Sequence, residues 1–258
     1  MELSKSTITL TFGDCAENHK GMEMVGLRGL KGSGYSVEEL CAIRIRCETA
    51  GFVCRMGDLS AGLPDVKTDP AHVLVIKGGL DLLMGRKGAH EALFDEQASL
   101  EVDTKAFMYG RVVNKKARWN LCFAEEGHPP AYEEGKGRII PYKDIPITNK
   151  LVASLPTWFG DKAKDLKGEA NYYYDIKKCG IGYHGDTERR KVIAVRLGAA
   201  MPLFFQWYYR GEQVGHRMEL PLEGGDLYCM SEKAIGTDWK SSSLYTLRHA
   251  TGCDKFTD

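Results

Sequence analysis

The sequence predicts an α+β protein: a jelly-roll core with flanking helices, preceded by a mixed α/β region. From Phe107 onward, short strand-like runs are separated by Gly and Pro turns, the texture of a jelly roll or sandwich. Before that point helical and strand periodicities alternate. The polar stretch Leu100 to Asp103 reads as the boundary between them. Residues 1–103 are therefore expected to form an N-terminal α/β region, and 104–258 a β-rich domain.

In the first region, Ser36-Val-Glu-Glu39 is a capping-box pattern, and Leu40, Ile43, Cys47 and Ala50 follow at helical spacing up to Gly51. Ala71 to Lys77 is apolar and β-branched and ends at Gly78-Gly79, as a buried strand should. A short helix is expected over Gly88 to Phe94. Gly29, Gly32 and Gly34 do not follow a strand as a phosphate-binding loop requires, so they read as turns.

In the second region, Phe107 to Val113 and Trp119 to Phe123 are strand-like. Ile145 to Leu155 reads as a helix with Pro146 in its first turn and Pro156 closing it. Strands are then expected at Asn171–Tyr174, Gly182–His184, Lys191–Leu197, Leu203–Tyr209, Arg217–Leu222, Asp226–Met230 and Leu244–Arg248. Leu203 to Leu222 forms a hairpin turning at Arg210-Gly211-Glu212.

Composition narrows the function classes. Lys plus Arg equals Asp plus Glu at 35 each, which removes the argument for a globally basic nucleic-acid-binding surface while leaving room for a local groove. Eight scattered cysteines with no C-x-x-C pair argue against a structural zinc or a disulfide framework and for a reducing compartment. The N-terminus has no basic segment followed by an apolar run, and no stretch approaches the roughly 18 apolar residues of a membrane span. The expectation is a soluble intracellular protein of cytoplasm or nucleus, with no membrane partner.

His184-Gly185-Asp186 is an H-x-D at the end of an expected strand. Residues two apart on a strand share a face, so the imidazole and the carboxylate can meet one cation. Two histidines and one carboxylate form the facial triad of non-haem Fe(II) oxygenases, which leaves three coordination positions open. On its own, H-x-D is as readily a surface turn.

The run Asn171-Tyr-Tyr-Tyr-Asp-Ile-Lys-Lys-Cys-Gly-Ile-Gly-Tyr-His-Gly-Asp186 resembles the AlkB family of 2-oxoglutarate-dependent dioxygenases. Asn171 and Tyr173 match the N-x-Y that in this family precedes the H-x-D and binds the co-substrate carboxylate. The strand ending at Gly198, the hairpin Leu203 to Leu222, the Gly225-Asp-Leu-Tyr-Cys-Met230 strand and a last strand ending at Arg248 follow in the family's order. Tyr109 to Phe123 and the helix at Ile145 are similar to the family's nucleotide-facing lid and first helix. The resemblance covers about 105–258 and implies a double-stranded β-helix that uses Fe(II), 2-oxoglutarate and dioxygen.

Two positions depart from the family. Its second histidine should fall near Trp239-Lys240, where this chain has Lys240, and of its two C-terminal arginines Ser242 replaces one while Arg248 remains. His249 is the nearest histidine able to complete the triad, but neighbours on a strand face opposite ways. Either His249 is a ligand and another cation, Arg196 or Lys191, holds the co-substrate, or Arg248 holds it and the third ligand is missing. The expected metal set is His184, Asp186 and His249, since intact N-x-Y and H-x-D motifs make little sense beside an empty site. The expected co-substrate set is Asn171, Tyr173, Arg248 and Arg196.

What the family implies is hydroxylation of a C–H bond, most directly the oxidative demethylation of an N-alkylated nucleic-acid base flipped into the pocket. A protein or small-molecule hydroxylase is the rival. A non-catalytic binding protein, with Lys240 repelling the metal, is the reading from another class. The run Asn114-Lys-Lys-Ala-Arg-Trp119 could grip phosphate and stack on a base, or be a solvated edge strand. Glu188-Arg-Arg-Lys191 reads as a charged turn, His216 as solvent-facing, and His19, His72, His90 and His128 as structural or exposed.

Overall fold

The computed structural model describes residues 1–258, apart from the side chain of Leu82. Five strands and three helices arise within the first hundred residues. They are β1 (Thr7–Gly13), β2 (Cys15–Glu17), β3 (Met24–Gly26), α1 (Val37–Thr49), β4 (Val53–Asp58), β5 (His72–Lys77), α2 (Gly79–Leu83) and α3 (Ala89–Ala98). Next come β6 (Lys105–Met108), β7 (Arg111–Asn114), β8 (Trp119–Ala124), β9 (Ile139–Pro141), α4 (Pro146–Phe159) and β10 (Lys167–Tyr173). The remainder is β11 (Gly180–His184), β12 (Ile193–Gly198), β13 (Leu203–Tyr209), β14 (Glu212–Leu220), β15 (Leu227–Met230), α5 (Glu232–Ile235), β16 (Thr246–Gly252) and α6 (Asp254–Thr257).

Two sheets dominate, so the fold is mixed but β-rich. The larger has eight strands in the order β4-β5-β15-β12-β1-β10-β8-β9, and the smaller has four in the order β11-β16-β13-β14. On one face of the large sheet, Leu10, Leu74, Val195 and Leu227 pack against Leu40 and Ile43 of α1, Leu93 and Phe94 of α3, and Leu151 and Leu155 of α4. The other face meets the small sheet through Val73, Ala194 and Met230 on one side and Phe205, Trp207 and Leu247 on the other. The molecule is therefore three layers: helices, large sheet, small sheet. No helix among the described residues is long and apolar enough to cross a membrane.

The boundary expected near Asp103 does not exist. β1 lies in the middle of the large sheet, antiparallel to β10 on one side and β12 on the other, and β5 pairs with β15. The cause is visible in Thr7-Ile-Thr-Leu-Thr-Phe12, whose strict alternation sends Ile8, Leu10 and Phe12 to the helices and the threonines to the other face. Residues 1–103 and 104–258 share one sheet and cannot be separate domains.

Most local expectations match. Ser36 caps α1 with a reciprocal box: its Oγ accepts from Glu39 N at 3.2 Å, and its own N donates to Glu39 Oε2 at 2.8 Å. The hairpin β13–β14 turns at Arg210 and Gly211, both at positive φ. Helix α4 runs beyond the expected end, holding Pro156 inside its last turn and stopping at Gly160. The strand-like run from Phe107 is split, because Tyr109 and Gly110 at positive φ make it the β6–β7 hairpin.

Candidate metal centre

β11 ends at His184, and the chain turns through Gly185 into Asp186. Gly185 is required there by crowding, since a Cβ would stand 2.0 Å from the carbonyl oxygen of Gly236. The Asp186 N–H donates to Ile235 O at 3.0 Å, so the end of α5 clamps the turn that presents both side chains.

His249 arrives from β16, the antiparallel partner of β11, where it stands directly opposite His184. Residues opposed in this way point to the same face. The two imidazoles lie 4.5 Å apart between centroids, and each Nε2 is 3.6 Å from Asp186 Oδ1. One ligand atom from each of the three residues lies within 4.8 Å of the others. His184 Nδ1 contacts the carbonyl of Gly182 at 2.8 Å, and a carbonyl only accepts, so Nδ1 carries the proton and Nε2 offers a lone pair. That lone pair confronts a carboxylate oxygen. Acceptor faces acceptor, the arrangement a cation resolves.

The charge state suits a metal. Burial, then the neighbouring His249 and Arg118, lower the His184 pKa to about 3, so its imidazole is neutral at ordinary pH. Burial alone would raise the Asp186 pKa, but Arg189 and the hydrogen-bonding contact with His249 outweigh it and hold the carboxyl below the usual range. Arg189 is buried, with Nε 3.7 Å from Asp186 Oδ2, and it is ion-paired to Glu169 and, at 2.9 Å, to Glu188. It steadies the far oxygen of Asp186 and leaves Oδ1 to the histidines. The expected charged turn at 188–191 is thus partly interior: burial and the Asp186 charge raise the Glu188 pKa to about 7 against the pull of Arg189.

The trio opens on a cavity of about 290 Å³ between the two sheets. Asn171 and Tyr173 line it from β10. Asn171 is engaged within the chain: its Oδ1 accepts from Arg118 Nε at 2.5 Å and Asn120 Nδ2 at 2.8 Å, and its Nδ2 donates to Glu169 at 3.0 Å. Arg196 also lines the cavity, whereas Lys191 does not.

Two expectations are corrected. Arg248 is not part of the cavity wall: its guanidinium lies 3.8 Å over the Tyr208 ring and 5.2 Å from that of Trp239, because His249 beside it takes the inward direction. Lys240, expected where a histidine ligand should be, is exposed, with Nζ 5.8 Å over the Trp239 ring. No ammonium from Lys240 enters the space between the three ligands. Trp119 packs partly against the core, and one face of its ring is stacked on Tyr174 at 4.4 Å. His216 is exposed on β14, as expected, and His90 is structural, its Nε2 accepting from Gly198 N at 3.0 Å.

Sequence reasoning missed Thr9 and Thr11 of β1, Glu169, Tyr228, Trp239 and His19, all of which line the cavity. The alternating threonines were the available signal for β1 and its polar inner face. His19 had none, because its place at the mouth depends on β2 lying beside β10.

No family model matches this chain. It is similar to "Uncharacterized protein R156" of Acanthamoeba polyphaga mimivirus, with 47% identity over 255 residues that cover 98% of each protein. Identity of that level along both whole chains places this protein in the same family as the mimivirus protein.

Proposed function

We propose that this protein is an Fe(II)- and 2-oxoglutarate-dependent dioxygenase built on a jelly-roll core. The observation that carries the reading is the convergence of His184, Asp186 and His249 on one cavity, with one ligand atom of each within 4.8 Å of the others. The donor set of two imidazole nitrogens and one carboxylate suits non-haem Fe(II). Iron held there, with 2-oxoglutarate and dioxygen, supplies oxidative decarboxylation of the co-substrate to succinate coupled to hydroxylation of a substrate C–H bond.

The chain's own residues have definite parts in this. His184, Asp186 and His249 would hold the metal at the wall of the cavity. Arg189 orients the Asp186 carboxylate. The Gly182 carbonyl fixes the His184 tautomer.

For the substrate, the resemblance to AlkB favours an N-alkylated nucleic-acid base. Lys20, Arg118 and Trp239 line the cavity, with Lys20 Nζ 5.6 Å from the centre of the indole, and they support it, since cations hold phosphate and an indole stacks on a base. The first test is an anaerobic titration with Fe(II) and 2-oxoglutarate, following the weak visible metal-to-ligand charge-transfer band. Wild type is expected to develop the band and His184→Ala to lack it. Turnover of 2-oxoglutarate is then measured with and without methylated oligonucleotides, and no stimulation by any of them refutes the nucleic-acid substrate.

A further inference from the structure

Glu169 stands on β10 just before Asn171, is 8% exposed, and lines the cavity. Both of its oxygens are engaged: Oε1 accepts from Asn171 Nδ2 at 3.0 Å, and Oε2 accepts from Arg189 Nη2. Asn171 is fixed in turn by Arg118 and Asn120, so this carboxylate is anchored within the large sheet. It ties the strand that carries Asn171 to the turn after β11 that carries Asp186.

Arg189 is 3% exposed and stands among three carboxylates. Its Nε and Nη2 both lie 2.9 Å from Glu188 Oε1, Nη2 also donates to Glu169, and Nε is 3.7 Å from Asp186 Oδ2. The last contact is an ion pair too long for a hydrogen bond. A guanidinium fork favours both oxygens of one carboxylate, because two parallel charge-assisted bonds are the strongest it makes. Such a grip on Asp186 would engage Oδ1, the oxygen that stands 3.6 Å from Nε2 of both His184 and His249. Glu188 is the chain neighbour of Arg189 and moves with it. Glu169, reaching in from the large sheet, is what sets where the guanidinium stands.

We propose that Glu169 is a positioning residue of the metal centre: it holds Arg189 Nη2, so that the guanidinium steadies Oδ2 of Asp186 without closing on Oδ1. The inference rests on the metal reading of the His184–Asp186–His249 trio. Without Glu169, Nη2 loses its fixed acceptor in the interior. The guanidinium then turns onto Asp186 and competes with the metal for the same oxygen. No local pattern announces this role, since Glu169 and Arg189 are 20 residues apart and meet only where the turn after β11 folds back on β10.

The test is Mn(II) binding by the full chain, followed through the electron paramagnetic resonance signal of the free ion. Glu169→Met, an unbranched side chain that accepts from neither partner, is expected to weaken Mn(II) binding about 10- to 100-fold, the usual effect of losing an outer partner of a metal ligand. In an Arg189→Met background the same substitution is expected to change nothing, because the arginine it restrains is gone. A loss of equal size in both backgrounds means that Glu169 acts by its own charge and overturns the proposal. Wild-type affinity in Glu169→Met overturns it too, while leaving the metal centre standing. Crystals of metal-free Glu169→Met should show both Asp186 oxygens bonded to Arg189, and a guanidinium still 3.7 Å from Oδ2 counts against the mechanism. Should Glu169→Met not fold, the comparison passes to Arg189→Met with and without it, since removing a buried pair whole is better tolerated than removing one half. Equal affinity of those two variants supports the proposal, and a further loss in the double variant overturns it. Failure of wild type to bind Mn(II) overturns the metal reading beneath it.

Discussion

At the scale of single residues, the site depends on which neighbour of a strand pair faces inward. His249 and Arg248 are adjacent, and only one can share a face with His184. The pairing of His184 with His249 decides for the histidine. His249→Ala should therefore abolish tight Fe(II) binding, while Arg248→Gln and Lys240→Ala keep it, as read by metal content after gel filtration and by titration. Lys115 offers a test at a residue that touches none of the three candidate metal ligands. Burial lowers its pKa from 10.5 to about 8, and its Nζ is held by Asn18 Oδ1 at 2.6 Å and Asn120 Oδ1 at 3.1 Å. Between those pH values the unfolded chain binds the proton and the folded one does not, so this group's contribution to stability grows as pH rises from about 8 to 10.5. Urea denaturation of wild type and Lys115→Met at pH 7.5 and pH 10 should show the difference between them shifting toward wild type at the higher pH.

At the scale of elements, the helices act on the site through the sheet that they cover. Glu96 of α3 accepts from the backbone N–H groups of Ile147 and Thr148 at 2.7 and 2.9 Å, and so caps the N-terminus of α4 from another helix. Next to it, Gln97 bonds Thr148 at 2.7 Å and accepts from the Tyr172 hydroxyl at 2.8 Å. Tyr172 pinned outward leaves Asn171 and Tyr173 facing the cavity. Glu96→Ala should cost about 1–2 kcal/mol, measured by chemical denaturation, since it removes a charged cap from two part-buried N–H groups. The capping box of α1 was legible because all its atoms lie within four residues. The cap on α4 was not, because Glu96 comes from a different helix and no local pattern announces it.

At the scale of the whole molecule, the first hundred residues are structural partners of the site. β1 separates β10, which carries Asn171 and Tyr173, from β12, which carries Arg196, and its Thr9 meets the Arg196 guanidinium. Removing β1 would expose two long unpaired strand edges and empty the centre of the large sheet. A chain beginning at residue 104 is expected to be unfolded or aggregated, which circular dichroism and a dispersed or collapsed amide NMR spectrum will distinguish. A folded, metal-binding 104–258 fragment would contradict the shared sheet.

The sequence by itself determined the β-rich texture, the hairpin at Arg210-Gly211, the α1 box and the H-x-D with its N-x-Y, because each depends on residues a few positions apart. It also left His249 as the histidine that could stand beside His184 and Asp186, and Arg196, Arg248 and Lys191 as the cations that could face their cavity. Only the tertiary structure decided among them, since which cation faces the cavity depends on strand register across the small sheet and on β1 lying between β10 and β12. Period-two alternation tells which residues share a face of one strand; it does not tell which strand lies opposite, and a site shared by several strands exists only once that is settled.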